Sequence, residues 1–158
     1  MPSRRLSLAQ YAALIKDMPP EIEEAVMRGI KSAAMRGVGI IVKHIDTAHP
    51  YPAVNTGALR QSVNLRFTPR TAVLTVDAPH AVFSDKGTRP HSPPIGPLIV
   101  WATRKFGLDE DEAVRVAWAV RKKIEREGIA PRNWMAKAMA EIKGEVLNAE
   151  IMRELEQL

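Results

Sequence analysis

The stretch from Glu21 to about Asp46 constrains the fold more than any other part of the sequence. Its apolar residues recur every three to five positions, at Ile22, Val26, Ile30, Ala33, Val38, Ile41 and Ile45. This spacing places them on one face of a helix. Acidic residues in its first turn complement the positive end of the helix dipole. We therefore predict a long amphipathic helix within residues 20–48.

Small residues lie four positions apart on this predicted helix, at Gly29, Ala33 and Gly37. Each glycine costs about 1 kcal/mol relative to alanine in a helix interior. Two interpretations remain open. The small side chains let another helix, from the same or a neighbouring subunit, approach closely, or the glycines are simply tolerated.

Beyond the helix, the apolar pattern changes from a helical period to a period of two. His49-Pro50-Tyr51-Pro52 ends the helix, because the residue before a proline is disfavoured in the α conformation. Residues 63–67 alternate apolar and polar side chains, and in the next segment Ala72, Leu74 and Val76 alternate with Val73, Thr75 and Asp77, which is typical of strands. A four-residue turn at 68–71 pairs Val63 with Val76, Leu65 with Leu74 and Phe67 with Ala72. With a third strand expected at Ala81–Ser84, residues 62–84 form a small antiparallel sheet.

The remaining segments are predicted to be largely helical. A short helix is expected in the N-terminal arm, residues 1–19, and a proline-rich loop at 85–97 precedes a helical part at 98–158. In that part, Gly107 and Gly128 end two helices, and a final helix follows Pro131. Its predicted apolar face comprises Met135, Ala138, Ile142, Val146, Ala149 and Met152. The fold class is α+β in a single domain, 1–158, with the helices and the hairpin-based sheet segregated along the chain.

The composition narrows the functional classes. Of the 158 residues 46% are hydrophobic and 26% are charged, as in an ordinary globular chain. The absence of cysteine excludes disulfides and thiolate chemistry and fits a reducing cytoplasm. No leader or membrane-spanning pattern is recognisable, so we expect a soluble protein without a membrane partner. The net charge of +5 permits contact with nucleic acid, but Lys and Arg alternate with Glu along the helices.

The candidate reactive groups do not form a recognisable catalytic or metal site. His44, Asp46 and His49 are too irregularly spaced to share one helical face. Ser84-Asp85 with His80 or His91 lacks the strand-turn-helix elbow of a hydrolase nucleophile. Lys86-Gly87-Thr88 lacks the order of a phosphate loop. We therefore expect no enzyme activity, no cofactor and no metal.

Several polar and aromatic side chains are instead candidates for contact with a partner protein. The prolines of the 85–97 loop limit its flexibility, so docking costs it little entropy. The alternative is that these prolines only fix a crossing to the next helix. The interface candidates are Arg60, Arg66, Lys86, Thr88, Arg89, His91 and Trp101.

Two segments carry a family resemblance: Asn55-Thr56-Gly57-Ala58-Leu59-Arg60-Gln61-Ser62, and Ala81-Val82-Phe83-Ser84-Asp85-Lys86-Gly87-Thr88-Arg89-Pro90-His91. Together with the intervening hairpin and Pro131-Arg132-Asn133-Trp134-Met135-Ala136-Lys137-Ala138, their order resembles that of tailed-bacteriophage neck, or tail-completion (head–tail joining), proteins. The likeness spans about residues 21–140. His80, Ser84-Asp85 and Trp134 depart from the family pattern of Tyr, Val-Glu and Phe.

The resemblance implies a non-enzymatic virion protein of the neck or tail, assembled in the host cytoplasm. Its implied partners are further copies in a ring, hexameric or dodecameric, together with connector or stopper and tail terminator or tail tube proteins. DNA in the channel would be contacted passively. The motif residues Asn55, Thr56, Gly57, Leu59, Ser62 and Gly87 are expected to serve local folding.

Two other functional classes are carried as alternatives. A small basic nucleic-acid-binding protein would need Arg and Lys concentrated on one face. An enzyme would need a pocket in which His80, Asp85 and His91 converge.

Overall fold

The computed structural model describes residues 18–49, 57–69 and 71–158. It confirms the α+β class, with a long N-terminal helix, a two-stranded antiparallel hairpin and C-terminal helices. The elements of the described residues are α1 (Pro20–Asp46), α2 (Ala58–Gln61), β1 (Val63–Phe67), β2 (Ala72–Val76), α3 (Ala81–Lys86), α4 (Ile95–Phe106), α5 (Glu110–Glu127), α6 (Trp134–Glu141), a π-helical turn (Ile142–Val146) and α7 (Leu147–Leu155). Among these helices, none is long and apolar enough to cross a bilayer.

The long helix α1 packs antiparallel against the C-terminal helices. The glycines of α1 decide how close the helices come. A Cβ atom added to Gly29 would lie 2.6 Å from the Cα atom of Ile151 in α7. One added to Gly37 would lie 2.9 Å from Leu74 Cδ1 and 3.1 Å from Ile142 Cδ1. Gly29 and Gly37 are thus required for close packing, and the helix that approaches Gly29 belongs to the same chain.

A carboxylate network reinforces this contact. Glu150 of α7 is buried, and its two oxygens accept hydrogen bonds from Ser32 Oγ at 2.7 Å and Arg36 Nη1 at 2.5 Å, both on α1. Arg153 Nη2 lies 2.9 Å from the same carboxylate. These groups satisfy a charge that would otherwise be costly to bury.

The β-hairpin has the predicted register, with Val63 opposite Val76, Leu65 opposite Leu74 and Phe67 opposite Ala72. The expected third strand is wrong, because Ala81–Lys86 forms the short helix α3. The helical hydrogen bonds begin at the start of this segment, where Ser84 N donates to His80 O at 2.9 Å. The adjacent side chains of Val82 and Phe83 are both exposed instead of alternating between two faces of a sheet.

The C-terminal helices contain a π-helical turn that the sequence pattern did not reveal. Their buried residues are spaced strictly four apart, at Trp134, Ala138, Ile142, Val146 and Glu150. In an α-helix of 3.6 residues per turn, such a row drifts by about 40° at each step. The wider π turn at 142–146 offsets this drift. Consequently Ala149 and Met152, predicted on the apolar face, are exposed, and Glu150 points inward.

Helices α4 and α5 form a helical hairpin that packs chiefly on itself. The αL residue Gly107 ends α4, and Asp109 caps α5 by accepting from Glu112 N at 2.8 Å. Gly107 follows α4 and Gly128 follows α5, which confirms the two predicted helix ends. The proline-rich loop is shorter than the expected 85–97, since α3 extends to Lys86 and α4 begins at Ile95.

Three expectations lie outside the described residues. These are the short helix in the 1–19 arm, the local folding roles of Asn55 and Thr56, and the part of the 68–71 turn contributed by residue 70. Around the turn, Thr68 N donates to Thr71 O at 2.9 Å, which closes the β-hairpin.

The two kinds of glycine in α1 predict opposite effects of alanine substitution. Gly29→Ala should lower the free energy of unfolding by about 1–3 kcal/mol, because the added methyl group meets backbone that cannot move aside. Gly39→Ala should raise it by about 0.5–1 kcal/mol, since no atom lies within 4 Å and alanine favours the helix. Urea unfolding measures the free energy of unfolding of both variants. A Gly29→Ala protein as stable as the wild type would contradict the close contact.

The Glu150 network also predicts a pH dependence. Hydrogen bonds from Ser32 and then Arg36 hold the pKa of Glu150 below its ordinary value of 4.5. Its ionised form therefore stabilises the fold at pH values above the unfolded-state pKa, and this contribution is lost as the pH falls through the lower folded-state pKa.

Wild type should consequently exceed Glu150→Gln in unfolding free energy by a constant amount above about pH 5, and the difference should shrink below about pH 4.5. Urea titrations at a series of pH values measure the difference. A difference that grows on acidification would contradict the assignment.

Candidate functional site

The three segments that carry the family resemblance converge on one hydrophobic core. Leu59 of α2, Ala81 of α3, and Trp134 and Ala138 of α6 are all buried in the cluster that also contains Ile41 of α1. Trp134 is the largest fully buried side chain among the described residues. The largest side chain of this core is thus Trp134, which the sequence marked only as a departure from the family pattern.

Asp85 joins α3 to the start of α6. Its carbonyl oxygen accepts hydrogen bonds from the backbone N–H groups of Arg132 and Asn133, each at 2.9 Å. Its Oδ1 atom accepts from Met135 N at 3.0 Å. Asn133, the N-cap residue of α6, has φ 53° and makes no side-chain cap hydrogen bond. Asp85 therefore supplies, from a distant part of the sequence, the cap that satisfies an N–H group of the first turn of α6.

Two glycines allow the chain segments on either side of the helical hairpin to cross. Thr88 and Ile129 form an isolated antiparallel bridge, with N–H to carbonyl distances of 2.9 and 3.1 Å. Gly87 has φ 71° and Gly128 has φ 73°. A Cβ atom at Gly87 would overlap the carbonyl oxygen of Ile129, and one at Gly128 would overlap that of Thr88. Gly87 therefore serves folding, as expected, and Gly128 is its counterpart.

The Gly57-to-Ser62 segment forms a tight turn at the end of α1. Gly57 is left-handed at φ 81° and precedes the four-residue helix α2. Leu59 is buried, and Ser62 Oγ donates to the carbonyl oxygen of Leu59 at 2.8 Å. Arg60, proposed as an interface residue, lies 3.2 Å from Asp46 Oδ2 in an exposed ion pair.

The other interface candidates differ in how free their side chains are. Lys86 pairs with Asp85 at 3.1 Å, and Thr88 Oγ1 accepts from Ile129 N at 3.2 Å. His91 Nδ1 lies 2.9 Å from the carbonyl oxygen of Arg89 and shapes the loop. The side chains of Arg66 and Arg89 are exposed and have no hydrogen-bond or ion-pair partner within the described residues. Trp101 is half-buried and packs edge-on against Phe106 at 5.5 Å.

Three of the groups considered for chemistry, His44, Asp46 and Asp85, are engaged in structural contacts. His44 Nε2 lies 2.7 Å from Glu141 Oε2, and the hydrogen bond from His44 is the main cause that lowers the pKa of Glu141. Asp46 pairs with Arg60. Both carboxylate oxygens of Asp85 are occupied, by Met135 N and by Lys86 Nζ. Over the residues described, no group of three or more potential ligands could hold a metal ion.

Most of the exposed apolar side chains of the helical hairpin were not among the candidates predicted from the sequence. Val100 is 49% exposed, Phe106 is 55% exposed and Trp118 is 46% exposed. The guanidinium carbon of Arg121 lies 5.0 Å from the centre of the Trp118 ring, a cation–π arrangement that holds the indole in place. Trp118 lies one residue after the buried Ala117 and five after the buried Ala113, which turns it about 100° and 140° away from them around the helix, and this spacing could have indicated its outward position.

Comparisons with known proteins gave no match, either to protein-family models, to curated proteins or to solved structures.

Replacement of Asp85 tests its role as a remote helix cap. Asp85→Ala should lower the free energy of unfolding by about 1–2 kcal/mol, because it leaves the Met135 N–H group without its acceptor. Asp85→Asn should cost less, since its amide oxygen can still accept. Lys86→Ala, which removes only the exposed partner of Asp85, should change stability by less than about 0.5 kcal/mol. Equal losses for all three variants in urea unfolding would exclude the capping role.

Proposed function

We propose that this protein is a structural subunit of the neck of a tailed bacteriophage, a tail-completion or head–tail joining protein. The observation that carries the proposal is the convergence of the three resembling segments. Residues from 57–62, 81–91 and 131–138 meet through the Leu59, Ala81 and Trp134 core and the Asp85 cap. Short motifs that combine into one packed unit support a shared fold more strongly than motifs scattered over the surface.

Within this proposal the protein acts through its shape. Copies assemble into a ring around the DNA channel, one surface meeting the connector or stopper and the other meeting the tail terminator or tail tube. The unit made from the motifs supplies a rigid body, and the exposed candidates Arg66 and Arg89, which make no hydrogen bond or ion pair within the described residues, are available for contact with partners. The mature location is the virion neck.

The distribution of charge favours this function over nucleic-acid binding. Many basic side chains pair with carboxylates of the same chain, and so contribute little net attraction for phosphate. These pairs are Arg28–Glu154, Arg36–Glu150, Lys43–Glu141, Arg60–Asp46, Lys86–Asp85, Arg121–Glu125, Arg126–Glu127 and Arg153–Glu150.

Self-assembly is the first test of the proposal. The purified full-length protein should form a closed ring of defined copy number, which native mass spectrometry measures and negative-stain electron microscopy displays. Added to phage lysates that contain unjoined heads and tails, it should bind the free end of one of them. A protein that stays monomeric and binds neither structure would overturn the proposal, and strongly salt-dependent binding of the monomer to DNA would favour the alternative.

Removal of the Arg89 side chain separates partner contact from folding. Arg89→Ala should reduce the yield of joined particles in a complementation assay and leave the unfolding midpoint unchanged, because this exposed side chain makes no hydrogen bond or ion pair within the described residues. Arg126→Ala is a matched control, since it removes an exposed arginine that is paired with Glu127. Full joining activity of Arg89→Ala would exclude Arg89 from the interface.

A further inference from the structure

The helical hairpin has no core of its own. Across residues 91–127 the only buried residues are Ala102, Ala113 and Ala117, each with no exposed surface. Alanines at the contact let α4 and α5 approach closely, but they bury little apolar area. The larger apolar side chains, including Trp118, stay partly or mostly exposed. A two-helix unit of this kind gains stability if another surface covers it.

The exposed side of each helix of the hairpin is defined by the alanines that face its partner. In α4 the face opposite Ala102 carries Pro97, Val100 and Arg104, which follow each other at spacings of three and four. In α5 the face opposite Ala113 and Ala117 carries Asp111, Arg115, Trp118 and Lys122. All of these residues are exposed. The two faces lie on opposite sides of the helical hairpin, so they cannot contact each other within one copy.

The two faces are complementary when two copies lie side by side in the same orientation. At 1.5 Å per residue, Val100 lies about 9 Å and Trp118 about 12 Å from the end of its helix at the hairpin tip. Arg104 and Asp111 lie about 3 Å and 1.5 Å from that end on the same scale. The apolar residues therefore match in height, and the basic residue of one face matches the acidic residue of the other.

We propose that the outer face of α5 in one copy packs against the outer face of α4 in the next copy. Trp118 then covers Val100 and Pro97, and Asp111 pairs with Arg104. This inference rests on the ring assembly of the proposed function and names the surface through which neighbouring copies meet.

The geometry of this contact suits a ring. It joins two different faces, so each copy retains one free α4 face and one free α5 face, and the contact repeats until the assembly closes. Trp118 provides the large, rigid anchor that such interfaces concentrate near their centre. Arg121 already stacks on the Trp118 ring, so little side-chain freedom is lost on docking. Neither Arg104 nor Asp111 has an ion-pair partner within the described residues.

Charge reversal with rescue tests the contact. Asp111→Arg places two arginines together at each interface, and Arg104→Asp places two aspartates together. Each single variant should need at least about a tenfold higher protein concentration to assemble, as native mass spectrometry measures over a dilution series. The double variant, which restores the pair in reverse, should assemble like the wild type. Failure of the rescue, with the fold intact by circular dichroism, would overturn the Arg104–Asp111 pairing.

Two further variants complete the design. Trp118→Ala should weaken assembly at least as much as either charge reversal, because it removes the anchor while leaving a good helix former. Lys123→Glu, a charge reversal on the flank of α5, should leave assembly unchanged. A wild-type protein that forms no oligomer would refute the proposed function itself. A wild-type ring whose mass is unaffected by Asp111→Arg and Trp118→Ala would refute only this interface.

Discussion

The fold depends on the close approach of α1 to the C-terminal helices. A Cβ atom at Gly29 would meet the backbone of Ile151 in α7, and one at Gly37 would meet the side chains of Leu74 and Ile142. Close backbone approach allows many weak contacts along both helices. It also brings the buried carboxylate of Glu150 within reach of Ser32 and Arg36. The conformational cost of glycine in a helix is therefore offset by packing that no larger residue permits.

A second constraint holds the middle of the chain to this helical frame. Asp85 caps α6 from α3, and the crossing at Gly87 and Gly128 brings the two ends of the helical hairpin together. Residues that resemble a motif of partner-binding proteins are thus occupied largely in folding. Within the proposed function these residues supply a rigid body, and the proposal assigns contact with partners to exposed side chains such as Arg89.

The helical hairpin, unlike the rest of the described chain, has no core of large buried side chains. Its contact is made from alanines, and its larger apolar residues face outward. The body of the protein has a core around Trp134, Ile41 and Ile45, but residues 91–127 contribute no large side chain to any buried cluster of the described chain. A rigid body with an incompletely covered helical projection is a physically reasonable design for a subunit that completes its burial in an assembly.

Local patterns in the sequence determined the elements that depend on contacts between residues close together along the chain. The 27-residue helix α1, the register of the β-hairpin and the ends of α4 and α5 follow from periodicity, alternation and capping residues, since each depends on neighbours along the chain. The small-residue stripe indicated close packing, but the sequence left open which helix approached it.

Tertiary structure decided the features that join distant segments. Ala81–Ser84 was predicted as a strand, yet Ala81–Lys86 forms a helix, and Asp85 within that helix caps the start of α6. The π turn rotates Glu150 inward because α1 supplies its hydrogen-bond donors. At Gly128 the crossing of Thr88 leaves no space for a Cβ atom, which adds to the preference for glycine that its positive φ already creates. In each case the partner lies 40 or more residues away along the chain, so no local pattern in the sequence records the contact.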